Sequence, residues 1–233
     1  MDNSKFVQIS GLSKFYGQTL ALYNLDIEIM KGKIVGLLGP NGCGKTTLIK
    51  LLANLLTNYS GKILIDGHEP GIETKKIISY LPDRNYLSDS WTPLKAVAFF
   101  EDFYSDFDRN KALKLLEQLD IPLDRKIKSL SKGTKEKMQL ILVLSRNAQL
   151  YLFDEPIAGV DPAARDRIFD LILENYNREA TIIITTHLVH DVEKILDYAI
   201  FLKKGQITRF AEVKKIIGDS GKTLEQVFKE DFK

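Results

Sequence analysis

The chain has a single cysteine, Cys43, among 233 residues. It cannot close an internal disulfide, and such sparse cysteine suits a reducing compartment. No apolar run approaches the roughly 20 residues needed to cross a bilayer. The opening stretch, MDNSKFVQIS, has no apolar core of the kind a signal peptide carries. A charge excess of one sign is missing too: 33 Lys and Arg stand against 31 Asp and Glu, a formal +2. A chain held to nucleic acid by charge carries a stronger basic excess. These absences predict a cytoplasmic protein with no nucleic-acid partner. If it works on a membrane, another polypeptide supplies the membrane part.

The rest is an ordinary globular balance, 44% hydrophobic and 27% charged. Three short, continuous apolar runs read as strands covered on both faces: KIVGLLG (33–39), LYLFD (150–154) and TIIITT (181–186). A helical pattern follows each, which predicts an α/β core built from βα units. FVQISGL, ALYNLDIEI and GKILIDG read instead as antiparallel strands. From Pro82 to about Ala148 the character turns helical. RNKALKLLEQL (109–119) sets Ala112, Leu113, Leu115, Leu116 and Leu119 on one face, and GTKEKMQLILVLSR is a second strong helix. The expected fold is therefore α/β: a P-loop NTPase parallel-sheet core with an antiparallel β subdomain and an inserted α-helical subdomain. The tail, GKTLEQVFKEDFK, carries a capping box from Thr223 to Gln226 and reads as a charged surface helix.

The first chemical motif is GPNGCGKTT (39–47), directly after a strand and opening a helix. It matches G-x-x-x-x-G-K-[ST] through Gly39, Gly44, Lys45 and Thr46. Glycines let the backbone curl so that N–H groups point at phosphate oxygens, and the helix N-terminus adds partial positive charge. Lys45 then contacts the β- and γ-phosphates, and the Thr46 hydroxyl ligates Mg²⁺. LYLFDEP ends an apolar strand in two carboxylates at the sheet edge where ligands bind. Asp154 suits Mg²⁺ and Glu155 suits a base that orients water. His187 closes TIIITT at the end of another strand. HLVH has no further Cys or His nearby, so it is not a metal site.

With these motifs in order, the chain resembles the nucleotide-binding subunit of an ATP-binding cassette (ABC) transporter, of the small exporter type. Tyr16 in KFYG corresponds to the aromatic that stacks on adenine; GPNGCGKTT to Walker A; LSKGT (130–134) to the signature usually written LSGGQ. LYLFDE corresponds to Walker B, GVDP (159–162) to the D-loop, and His187 to the switch histidine. The resemblance implies one cassette domain, residues 1–233. In it, 1–82 and 149–233 form a RecA-like core with the β subdomain, and 83–148 form the helical signature subdomain. It implies that Gly39, Asn41, Gly42, Cys43, Gly44, Lys45, Thr46 and Thr47 hold phosphate and Mg²⁺. Lys45, Glu155 and His187 then serve catalysis. It also explains LSKGT, which has no acid, base or ligand of its own. In the family two cassettes meet head to tail, and Ser131 and the Gly133 amide of one grip the γ-phosphate held by the other. Asp161 lies opposite the partner's histidine. Implied partners are a second cassette and an integral membrane permease, at the inner face of the cell membrane. The competing reading is a soluble cassette ATPase, for instance in cofactor assembly.

Some residues depart from the family pattern. A glutamine is expected after IISYLP, yet Asp83 stands there, and no glutamine occurs from 19 to 117. Asp83 either contacts Mg²⁺, a hard cation that favours oxygen, or faces solvent. Lys132 and Thr134 replace signature residues. Cys43, beside Lys45 at a helix start, is expected to be a reactive thiolate. WTPLKAVAFFEDFYSDF (91–107) holds six aromatics. In family exporters this region receives a short helix of the permease, with Tyr86, Leu87 and Trp91 expected nearest to it.

Overall fold

A computed structural model describes residues 5–157 and 160–233, apart from the side chains of Ala163 and Ala164. Strands β1 (Lys5–Tyr16) and β2 (Thr19–Met30) form a long hairpin, followed by β3 (Ile34–Leu38) and α1 (Lys45–Leu52). Next come β4 (Ser60–Ile65), α2 (Ile72–Ile77) and β5 (Ile78–Leu81). Three helices follow: α3 (Pro93–Phe103), α4 (Arg109–Gln118) and α5 (Lys132–Leu144). The chain then returns through β6 (Leu150–Asp154), α6 (Pro162–Asn175), β7 (Thr181–Thr186) and the short α7 (Val189–Val192). It ends in β8 (Tyr198–Lys203), β9 (Gln206–Glu212), α8 (Val213–Ser220) and α9 (Leu224–Asp231).

Two sheets result. One is antiparallel, in the order β2-β1-β4; the other has six strands, β5-β6-β7-β3-β8-β9, parallel throughout except for the β8–β9 pair. The apolar runs are continuous because both faces of the larger sheet are covered, and successive side chains alternate between them. Val35, Leu37, Leu150, Leu152 and Ile183 pack toward the antiparallel sheet and α1. Ile34, Leu38, Tyr151, Phe153, Ile182 and Ile184 pack toward α6 and the C-terminal helices. Strand β3 sits between β7 and β8, so the loop after it opens at the middle of the carboxyl edge. That is where an open α/β sheet leaves a crevice for ligands.

The helices α3 and α4 and one face of α5 bury a core of their own around Val97, Phe100, Leu115, Leu116, Met138 and Ile141. Arg146 ties them to the larger sheet. It is 3% exposed. Its guanidinium pairs with Asp106, donates to the carbonyls of Lys76 and Ile78, and lies 3.9 Å from the Tyr104 ring centroid.

Helix α1 ends at Leu52: Asn54 adopts φ 52°, and the left-handed geometry stops the helix. One expectation about an element changes. The tail helix α9 has the capping box of Thr223 and Gln226. It is not merely a surface helix, since Leu224 and Val227 are buried and Phe228 and Phe232 pack on the core around Phe201.

Candidate phosphate and metal site

The loop between β3 and α1 is shaped by what its glycines exclude. Gly44 has φ 113°, and a Cβ there would lie 2.7 Å from the Ala21 carbonyl oxygen. A Cβ on Gly39 would lie 2.4 Å from the Leu202 carbonyl. Only a backbone without side chains turns this tightly between β2 and β8. Helix α1 then starts at Lys45, and the first amides of a helix have no partner within it.

Lys45 is 5% exposed. Its ammonium donates to the carbonyls of Gly39 (2.7 Å) and Pro40 (3.2 Å), and lies 3.2 Å from Glu155 Oε1 as an ion pair without hydrogen-bond geometry. Thr46, one residue on, donates its hydroxyl to Asp154 Oδ1 at 3.1 Å. Asp154 is fully buried at the end of β6 and also accepts from the Thr185 hydroxyl at 2.7 Å. Burial raises its pKa above the ordinary carboxylate value, outweighing both hydroxyls, which lower it. Its second oxygen, Oδ2, is buried with no hydrogen-bond partner. A desolvated carboxylate oxygen left unpaired is costly, and a cation is the species that satisfies it. The oxygen donors Thr46 and Asp154 therefore fit a hard divalent ion whose remaining ligands are phosphate and water. Among the described residues no cluster of three His, Cys, Asp or Glu side chains could hold a metal alone.

Glu155 follows at φ 51°, its amide held by the carbonyl and hydroxyl of Thr185. That left-handed turn, unusual for a residue with a Cβ, swings the carboxylate out of the strand line. Its Oε2 lies 3.1 Å from His187 Nδ1. Lys45, Thr46, Asp154, Glu155 and His187 thus converge from three places in the sequence. Thr185 joins them. No motif includes it, and only its hydroxyl within the apolar run TIIITT marks it in the sequence.

The remaining candidates stand apart. Asn41 and Gly42 are exposed at the loop tip, and Thr47 is half-buried beyond it. Tyr16 ends β1, 48% exposed. Asp83 lies just past β5, exposed, and near enough to act electrostatically on Asp154. Ser131 caps α5 by accepting from the Thr134 amide, and open space surrounds Gly133. Asp161 is exposed just before α6. Gly159, within GVDP, lies outside the described residues.

The thiol of Cys43 is a correction. It is 4% exposed, packed with Leu48 and Leu202, and burial raises its pKa more than Lys45 lowers it. It is a small apolar filler, not a reactive thiolate. Leu87 is a second correction. It is buried among the helices, and Trp91 packs on Phe99. Of the three residues expected nearest a partner, Tyr86 lines the open groove, a cavity of about 740 Å³ between the helices and the core.

A glycine-rich loop at the middle of a parallel sheet, with paired carboxylates at the end of the strand next but one, defines a P-loop nucleotide-binding protein. Residues 22–158 match the family described as ABC transporter. The chain is 32% identical over 213 residues to "ABC transporter ATP-binding protein YtrB" of Bacillus subtilis, spanning 90% of this chain and 73% of that protein. It is 28% identical to "Lantibiotic transport ATP-binding protein SrtF" of Streptococcus pyogenes, across 95% of each chain. A solved "Structure of ATP binding subunit of ABC transporter" superposes with TM-score 0.87 at 25% identity, over 98% of this chain and 100% of that one. The chain belongs to the ABC transporter family, among its ATP-binding cassettes.

Proposed function

We propose that this protein is the ATP-hydrolysing subunit of an exporter, pairing with a second cassette on ATP and driving a separate membrane permease. The observation that carries the reading is the convergence of Lys45, Thr46, Asp154, Glu155 and His187 at one sheet edge. Export is supported by relatives such as SrtF, whose name assigns it to lantibiotic transport. Among the described residues no helix is long and apolar enough to cross a membrane, so the passage would belong to another chain.

In this reading Gly39, Gly42, Gly44 and the α1 amides cradle the phosphates, and Tyr16 stacks on adenine. Thr46 and Asp154 hold Mg²⁺, which when bound neutralises phosphate charge. Asp83, whose charge acts on Asp154, would be a further oxygen ligand in this reading. Lys45 turns from the carbonyls and Glu155 to the incoming phosphate oxygens. Glu155, relieved of that cation, accepts a proton from the attacking water, and His187 holds its other oxygen in place. Ser131, Gly133 and Asp161 face no phosphate of their own loop and act toward the second copy. The nucleotide then joins two cassettes, and hydrolysis loosens them, a ligand-driven population shift. One cassette domain with residues 83–148 as its helical part is the organisation this scheme uses.

The partner helix of the permease would enter the groove between the helices and the core. Leu55, Ile72, Tyr86 and Phe103 are apolar and exposed there. An apolar groove of this kind takes an amphipathic helix.

The test removes the base and keeps the shape. With Glu155→Gln, MgATP should convert the purified chain to a dimer by sedimentation, and phosphate release should stop. A variant that stays monomeric in saturating MgATP, alone and with every other cassette of the cell, overturns the sandwich. Undiminished phosphate release overturns the role of Glu155.

A further inference from the structure

Lys14 is a buried lysine that pairs with no carboxylate among the described residues. It is 6% exposed, in the last third of β1. Its ammonium donates to two backbone carbonyls, Thr57 at 2.8 Å and Asn58 at 3.0 Å. It also lies over the ring of Tyr16, 5.1 Å from the centroid. Lys14 and Tyr16 are two apart at the end of β1, where the pairing with β2 is irregular, and the contact of ammonium and ring is what brings them together. Thr57 and Asn58 belong to the connection between α1 and β4, just beyond the helix that opens at the phosphate loop. The one ammonium therefore joins three parts: the end of the hairpin, the Tyr16 ring, and the segment behind α1.

Burying a lysine without a counter-ion costs free energy, and two carbonyls recover only part of it. The ring supplies more, because a cation over an aromatic face is attracted by its quadrupole. That attraction has a second consequence. It draws π density toward the ammonium and away from the ring's other face. A base stacked on that other face meets less repulsion from its own π cloud, and it meets a ring already held in one orientation. Tyr16 is 48% exposed, so a face remains to stack on.

We infer that Lys14 is a positioning residue for the nucleotide base: it orders and polarises Tyr16 and fixes that platform at a set distance from the phosphate loop. The inference rests on the reading of Tyr16 as the adenine platform. It assigns no contact between Lys14 and the nucleotide itself. Its effect should be confined to ligands that carry a base.

Titration calorimetry of the full chain separates the possibilities, using MgADP as the ligand with a base and magnesium pyrophosphate as the ligand without one. Lys14→Met should weaken MgADP by about threefold to tenfold, the span of one such interaction, and leave pyrophosphate unchanged. Lys14→Arg should restore most of the loss. In a Tyr16→Ala background Lys14→Met should add nothing, since coupled residues are non-additive. Equal weakening of both ligands, or a full additive loss without Tyr16, overturns the inference. Tyr16→Ala binding MgADP as tightly as the unaltered chain sinks the platform reading instead, and the inference with it. If Lys14→Met does not fold, Lys14→Gln carries the same test, since it keeps a donor for Thr57 and Asn58 while losing the charge.

Discussion

Asp154 is a carboxylate without exposed surface, and its energetics oppose stability in favour of chemistry. Its folded pKa is raised by burial, so its contribution to stability is present below the unfolded value and is lost as pH rises through the folded one. At neutral pH the charge is a cost, kept for the sake of the cation site. Asp154→Asn preserves an oxygen that accepts from Thr46 and Thr185 while removing that charge. In magnesium-free buffer at pH 7 the variant should melt higher than the parent by about 2–4 °C, the shift that 1 kcal/mol gives a chain of this size. The gain should shrink as pH falls through the raised folded pKa and be gone by about pH 4, the unfolded value, and MgATP should no longer protect the variant against heat. A lower melting temperature at pH 7 would mean that the charge is compensated in the fold and that the cation argument fails. Cys43 shows the opposite weighting. A neighbouring lysine and a helix start favour a thiolate, but loss of water outweighs both once the side chain is packed against Leu48 and Leu202.

At the scale of elements, amphipathic periodicity finds a helix but not how deeply it docks. Helix α9 has charges at Glu225, Lys229 and Glu230, and in the sequence these dominate. In the fold Leu224 is fully buried, Phe228 and Phe232 pack as tilted rings at 4.3 Å between centroids, and Arg209 pairs with Asp231 through two hydrogen bonds. Leu224→Ala should therefore cost about 2–5 kcal/mol, the range for a truncated core leucine. A surface site would change stability by no more than about 0.5 kcal/mol. The urea midpoint decides between the two. Strands were easier to read than this helix. Continuous runs such as IVGLL and TIIIT are apolar on both faces because both faces are covered, and their shortness and branched residues separate them from buried helices.

At the scale of the whole molecule, the groove between the helices and the core is where a partner would act on the distant phosphate site. Phe103, 68% exposed on its rim, is held mainly by neighbouring rings. Phe103→Glu should leave the melting temperature and the phosphate release of the isolated chain unchanged, yet abolish its co-sedimentation with membrane vesicles from its own cells. Retained co-sedimentation would move the docking site elsewhere. The sequence determined the local chemistry: the glycine loop, the paired carboxylates after an apolar strand, the helix caps and the apolar periods. Each of these needs only neighbours within a few residues, so it is written in consecutive letters. The tertiary structure decided what depends on distance and water. It brought Thr46, Asp154, Thr185 and His187 to one edge, left Asp154 with an unpaired oxygen, and closed Cys43 and Leu87 from solvent. It also set Lys14 against Tyr16 and the carbonyls of Thr57 and Asn58. Burial and long-range contact arise only when the whole chain has packed, and no short stretch records them.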